Sequence, residues 1–156
     1  MNCTTSHNPD PLRRRPRRQF RRRGNAILEL TLTLGILLSV TFGSIEFGHY
    51  FYVQNTLQGA AREGARAAIP AAATNADVTA AVNASLTAAG FKVSNYTVEI
   101  RNATDTANVN VATQAAGTAI LVKVTGNWGT VGLRPMGLIG ANKVVRGAAV
   151  MRKETT

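Results

Sequence analysis

The chain of 156 residues is long enough for one modest domain plus an attachment and too short for two full domains. Its net charge of +10 is uneven: residues 1–24 hold eight arginines against one acid, a balance of +7, and residues 25–156 hold ten basic and seven acidic residues, a balance of +3. That distribution argues against a basic folded surface for nucleic acid, and the single cysteine, Cys3, excludes an intramolecular disulfide and cysteine-ligated zinc or iron–sulfur centres.

Residues 1–24 contain Pro9, Pro11 and Pro16 among like charges and end in Arg21-Arg22-Arg23-Gly24. Such a segment cannot bury enough apolar surface to order itself, so it reads as a disordered basic leader. Residues 25–54 are dominated by apolar side chains, with no charge between Leu30 and Ile45. A bilayer core needs about 20 mostly apolar helical residues. The window of about 26–53 meets that, with Tyr50, Phe51 and Tyr52 as an aromatic belt at the far side. The arginines place the N-terminus in the cytoplasm and the remainder outside. A cleaved secretory signal is the competing reading, but the apolar run is long and no Ala-x-Ala follows it before Tyr52. Arg17-Arg18-Gln19-Phe20 also resembles part of a twin-arginine signal.

The helix is expected to continue to about residue 70. Val53, Leu57, Ala60, Ala61, Gly64 and Ala68 recur at three- and four-residue steps, Glu63 can meet Arg66 at i,i+3, and Pro70 is a stop. A helix from Asn25 to Ile69 would be roughly 68 Å long at about 1.5 Å per residue, so it would project clear of the membrane. Residues 71–156 predict a small extracytoplasmic α+β domain. Thr74 or Asn75 can cap a helix over about 76–89 that faces Val78, Val82 and Leu86 inward and ends at Gly90. Three alternating runs follow, around Tyr96–Ile100, Ile120–Val124 and Val144–Val150, with a weaker fourth at Val109 and Val111. Residues 127–142 form a long connection, with Leu133, Pro135, Met136, Leu138 and Ile139 expected to pack on the sheet and Trp128 as a core or loop anchor. The fold class is therefore α+β: a long N-terminal transmembrane helix, then a small antiparallel sheet packed with one helix.

The most informative junction is Arg21-Arg22-Arg23-Gly24-Asn25, followed at Glu29 by an acid inside the apolar run. It resembles a type IV prepilin processing signal, cut after the glycine by a membrane-embedded peptidase. Glycine lets the backbone approach a catalytic centre closely. Cleavage would leave an ammonium on Asn25, one helical turn from Glu29. An isolated acid in the bilayer costs about 2.5–3.5 kcal/mol on insertion scales, and an amine of the same or a neighbouring subunit would offset it. Glu46, near the outer end of the span, would pair with a basic group of another subunit or reach water. Gly35, Ser39 and Gly43 lie four apart on one helical face, where small residues let helices approach in lipid. Gly64, among alanines, costs about 1 kcal/mol relative to alanine inside a helix, and so points to a close helix or sheet contact.

From Arg21 to Ala68 the chain resembles the N-terminal region of TadE-like pilus-assembly proteins, minor pilin-like components of tight-adherence type IV pili. The resemblance rests on the Arg-Gly start, Glu29, Glu46-Phe47-Gly48, and Leu57-Gln58-Gly59-Ala60-Ala61-Arg62-Glu63-Gly64-Ala65-Arg66. Asn25 and Leu30 depart from it, where a small apolar residue and an aromatic are more usual. It implies a minor subunit or assembly factor in the cytoplasmic (inner) membrane, extracellular once assembled. It also implies as partners the major pilin, other minor pilins, the prepilin peptidase and the membrane assembly platform, besides lipid. No phosphate loop, nucleophile elbow or His/Cys pair is present, so neither catalysis nor a cofactor or metal is expected. Two rivals are a permanently anchored extracytoplasmic binding module and a DNA-binding arginine arm, and the adjoining membrane span speaks against the second.

Overall fold

The computed structural model describes residues 20–154; the first 19 residues of the expected 1–24 leader, with Cys3 and His7, and residues 155–156 lie outside the described residues. Helix α1 is Phe20–Ala67, so Phe20–Gly24, assigned by sequence to a disordered tail, are already helical. No proline interrupts Phe20–Gly24, and arginine is a good helix former. The chain divides into two compact units between Leu38 and Ser39, and α1 runs through the division. From Gly24 to Phe42 every residue of α1 is exposed, and Gly43 is the first buried one. The apolar helix carries its hydroxyls without orphaning them: Thr31 Oγ1 donates to the Ile27 carbonyl at 2.9 Å and Ser44 Oγ to that of Val40 at 2.8 Å. The helix ends three residues before Pro70, which has no N–H to donate and disfavours helical geometry at Ile69. Its last turn tightens as the Ile69 N–H donates to the Arg66 carbonyl at 3.2 Å.

The second unit begins with the remainder of α1 and adds helix α2, Asn75–Ala88, strands β1, Tyr96–Asn102, and β2, Ala119–Asn127, a single-turn helix α3, Trp128–Val131, and strand β3, Val144–Arg152. Both ends of α2 follow from local chemistry. Thr74 is extended and accepts the Asp77 N–H at 3.3 Å, while Asp77 Oδ2 accepts the Thr74 N–H at 2.9 Å and hydroxyl at 2.7 Å, closing a capping box. The Thr74 hydroxyl, and then its amide, hold the Asp77 carboxyl below its ordinary value. At the other end Gly90 takes φ +81°, which lets its own N–H reach the Thr87 carbonyl and the Phe91 N–H reach that of Leu86, a Schellman ending.

The sheet is antiparallel in the order β1-β2-β3, with Ile100 opposite Val122, Val98 opposite Val124, and Val124 opposite Gly147. Its inner face, led by Ile100, Val122, Val124 and Val145, packs with Leu57, Ala61 and Ala65 of α1 and Val78, Val82 and Leu86 of α2 in one core. On β3 the inward residues are Val145 and Gly147, and Val144, Arg146 and Val150 face out. The outer face carries charge: Lys123 lies 2.9 Å from Asp105 and 3.7 Å from Glu99, and Arg101 3.2 Å from Glu99. The hydrogen bond from Lys123 holds the Asp105 carboxyl below its ordinary value. Among the described residues the ion pairs lie here, and Glu63 and Arg66 form none with each other.

Two further expectations need correction. Val109 and Val111 do not form a fourth strand. Asn108 makes one bridge to Arg101, and the Val111 amide then donates to Asn75 Oδ1 at 2.7 Å while its carbonyl accepts from the Lys153 ammonium at 2.6 Å. Side chains of α2 and the C-terminal segment take the bonds a neighbouring strand would need. Nor do Leu133, Met136 and Leu138 pack on the sheet, since they are 53%, 42% and 54% exposed. Their loop is held by its backbone to α1 instead, as described next.

Candidate functional site

The sequence-predicted residues sort along α1. Gly24 and Asn25 sit inside the helix, not at its start, and Glu29 is exposed one turn on. A Cβ built on Gly24 or Gly35 would meet nothing within 4 Å, and Ser39 is exposed. Gly43 differs from its two helical companions: it is buried, and a Cβ there would lie 3.4 Å from Leu138 Cδ1.

Glu46 is completely buried. Its Oε1 accepts the Ile139 N–H at 2.8 Å and its Oε2 the Met136 N–H at 3.2 Å. A carboxylate accepting backbone amides is a strong, charge-assisted arrangement. Here it fastens the 133–139 loop to the helix one turn beyond the exposed apolar run. The sequence reading sought its partner in another subunit or in water, and the structure supplies partners from the same chain. Just after it, His49 meets the buried Trp128 at a tilt and Tyr50 meets it edge-on, with ring centroids 5.7 and 5.2 Å away. Tyr52 meets Phe91, which meets Tyr96 edge-on. Burial pushes the Tyr96 phenol up to about 12, with Tyr52 a lesser cause. The aromatics assigned by sequence to a lipid interface thus belong in part to the folded unit.

The block from Leu57 to Arg66 then turns one face to the core. Gly64 sits where α1, α2 and β2 meet: a Cβ there would lie 2.5 Å from Val82 Cγ2 and 3.1 Å from Val122 Cγ1. Gly147 of β3 crosses the helix backbone directly, since a Cβ on it would fall 2.3 Å from the Leu57 carbonyl. Beside that crossing, Gln58 pairs with the outward edge of β3. Its Nε2 donates to the Ala148 carbonyl at 2.6 Å and its Oε1 accepts the Ala148 N–H at 3.1 Å. One glutamine amide therefore occupies both backbone groups of Ala148, part of the row that an edge strand leaves open. Arg62, Glu63 and Arg66 face outward and are exposed.

Residues 24–66 match the family model described as TadE-like protein. Over those residues the chain is similar to TadE-like proteins. Comparison with curated proteins yields no match, and neither does comparison with solved structures. The TadE-like segment begins at the Arg-Gly junction and stops one residue short of the end of α1, so it coincides with the helix. It holds Glu46, Gln58 and Gly64, whose contacts all lie in the part of the chain beyond the match. Glu46 and Gln58 bind main-chain groups, and no side-chain pattern in 133–148 marks them. The one available signal was the polar Gln58 directly before the small residues Gly59, Ala60 and Ala61. Among the described residues no group of three or more His, Cys, Asp or Glu stands together as a metal site.

Proposed function

We propose that this chain is a structural, non-catalytic component of a tight-adherence type IV pilus: a minor pilin-like subunit or assembly factor. In this reading a prepilin peptidase removes the leader after Gly24. The rest is a single-pass protein of the cytoplasmic membrane, N-terminus inside and the folded part beyond the span outside. The observation that carries the reading is the fully exposed apolar run of α1, set directly after the Arg-Gly junction in the TadE-like segment. α1 is long and apolar enough to cross a membrane. The exposed stretch of 24–42 is about 28 Å at 1.5 Å per residue, close to the ~30 Å hydrocarbon core. The span is thus shorter than the sequence window of 26–53, because Glu46, Tyr50 and Val53 are committed to the folded unit.

A peptide bond must leave helical geometry to enter a protease. Gly24 lies inside α1, and glycine weakens a helix by about 1 kcal/mol relative to alanine, which favours local unwinding at the cut. The new amine on Asn25 would then stand one turn before Glu29, on the same helix face as its own carboxylate and within reach of a neighbouring subunit's. Partners on this reading are the major pilin, other minor pilins, the peptidase and the assembly platform. The test is an intact mass and N-terminal sequence on protein extracted from membranes. A start at Asn25 supports the reading, and a retained Met1 in a membrane-bound protein supports the uncleaved binding module instead.

A further inference from the structure

We propose that the loop Leu133–Ile139 is a second membrane contact, a foot that rests its apolar side chains in the outer headgroup region of the bilayer. The inference builds on the reading of α1 as a membrane span. The loop runs Leu-Arg-Pro-Met-Gly-Leu-Ile, and Leu133, Met136 and Leu138 are about half exposed, at 53%, 42% and 54%. Connecting loops are ordinarily polar because they lie in water, and contiguous exposed apolar side chains mark interaction sites, membranes among them. The position identifies the occupant. Leu138 packs at Gly43 and the loop amides bind Glu46, so the loop grips α1 within one turn of Phe42, where the exposed apolar run ends. Ile45 and Phe47, on either side of Glu46, are also about half exposed.

Three of the loop's seven positions leave no open amide to a poorly hydrated place. Unpaired amides are costly there. Glu46 takes the amides of Met136 and Ile139, and Pro135 has none to satisfy. Arg134 is exposed between Leu133 and Pro135, suitable for anionic headgroup phosphates while its stem stays with the apolar chains. A lipid surface meets all of these features without a second protein.

The test uses the full chain with Cys3→Ser, reconstituted in vesicles of phosphatidylethanolamine and phosphatidylglycerol. A bimane label is placed singly through Met136→Cys, Leu138→Cys, Leu34→Cys in the span, or Ala112→Cys in an exposed turn elsewhere in the unit. Lipids carry a nitroxide quencher near the top or near the end of the acyl chain. Expected is loss of fluorescence at 136 and 138, stronger with the shallow quencher, loss at 34, and none at 112. Quenching at 34 with 136 and 138 as unquenched as 112 overturns the foot and leaves the span intact. No quenching at 34 overturns the span itself, and the foot with it. Shielding of 136 from both quenchers, together with a disulfide from that position to another protein chain, would make the surface a protein contact and also overturn the lipid assignment.

Discussion

Gly64→Ala should destabilise the 39–156 unit even though it improves the helix. Alanine is favoured over glycine by about 1 kcal/mol in a helix interior. Against that stands the room available. The added Cβ would be 2.5 Å from Val82 Cγ2 and 3.1 Å from Val122 Cγ1, whereas carbon pairs are most favourable at about 3.5–4.0 Å. Val82 cannot turn aside, because a β-branched residue in a helix is nearly confined to one rotamer, so α2 must back away from α1 by about 1 Å. Overpacking of this size costs about 1–3 kcal/mol. The net loss is then about 0–2 kcal/mol, and for a unit of this size each kcal/mol lowers the midpoint by roughly 3–6 °C. The sign in a second background is more decisive than the size. Val82→Ala alone should destabilise by leaving a void, and Gly64→Ala added to it should raise stability, because the new methyl enters that void while the helix gain remains. The assay is thermal unfolding of detergent-solubilised protein followed by the fluorescence of Trp128, the only tryptophan and wholly buried. The same effect of Gly64→Ala in both backgrounds, or stabilisation in the native one, would refute the packing argument.

Glu46→Ala should release the Met136 and Ile139 amides, read as faster hydrogen exchange confined to the 133–139 loop, with leader removal unchanged. Thr74→Ala should remove the cap of α2 at a cost of about 1 kcal/mol. The cap also makes stability pH-dependent. The Asp77 carboxyl is held below its ordinary value in the folded state, so its contribution is complete above the unfolded carboxyl's range and disappears as pH falls through the depressed folded value. Amide protection in the first turn of α2, followed through an acid titration, should therefore show a step that Thr74→Ala abolishes. Gly24→Ala should block leader removal, by crowding the scissile bond and by stiffening the helix around it; an unchanged shift to the mature size on a gel contradicts this. Glu29→Ala should leave processing largely intact and weaken co-purification of other pilins, and undiminished recovery of those partners counts against amine pairing.

Local signals carried the second unit far. The Thr74 cap, the left-handed Gly90, the inward spacing of Val78, Val82 and Leu86, and the alternation in β1 and β2 can each be read within a few residues, because their causes are steric and short-range. Pro70 likewise marks where α1 must stop. What escaped the sequence depends on main-chain groups far along the chain. The Met136 and Ile139 amides that bind Glu46 and the Ala148 amide that binds Gln58 lie about 90 residues from their partners. Every non-proline residue offers an amide, so no residue type there advertises the role. Val109 and Val111 misled for a related reason: alternation records which side chains are buried, while strand formation depends on where the backbone bonds go. Val111 is buried, yet its amide belongs to Asn75 and its carbonyl to Lys153.

α1 is exposed along its first part and packed against the core along its second, and that division constrains where assembly contacts can form. Small residues favour close helix approach wherever they occur, and the TadE-like block from Leu57 to Arg66 is rich in them. Ala60, Ala61, Gly64 and Ala65 are nevertheless already buried against the chain's own core, and Gly147 lies on the Leu57 carbonyl. A surface used in this way is not open to a neighbouring helix unless the unit unfolds. Intermolecular packing of α1 is thereby left to the exposed run before Gly43, where Gly35 and Ser39 lie, and to the outward side that presents Arg62, Glu63 and Arg66. Substitutions within the block should accordingly separate by face. Inward changes such as Gly64→Ala act through the stability of the folded unit. Outward changes such as Arg62→Glu should leave that stability within about 0.5 kcal/mol and change only what the assembled helix touches.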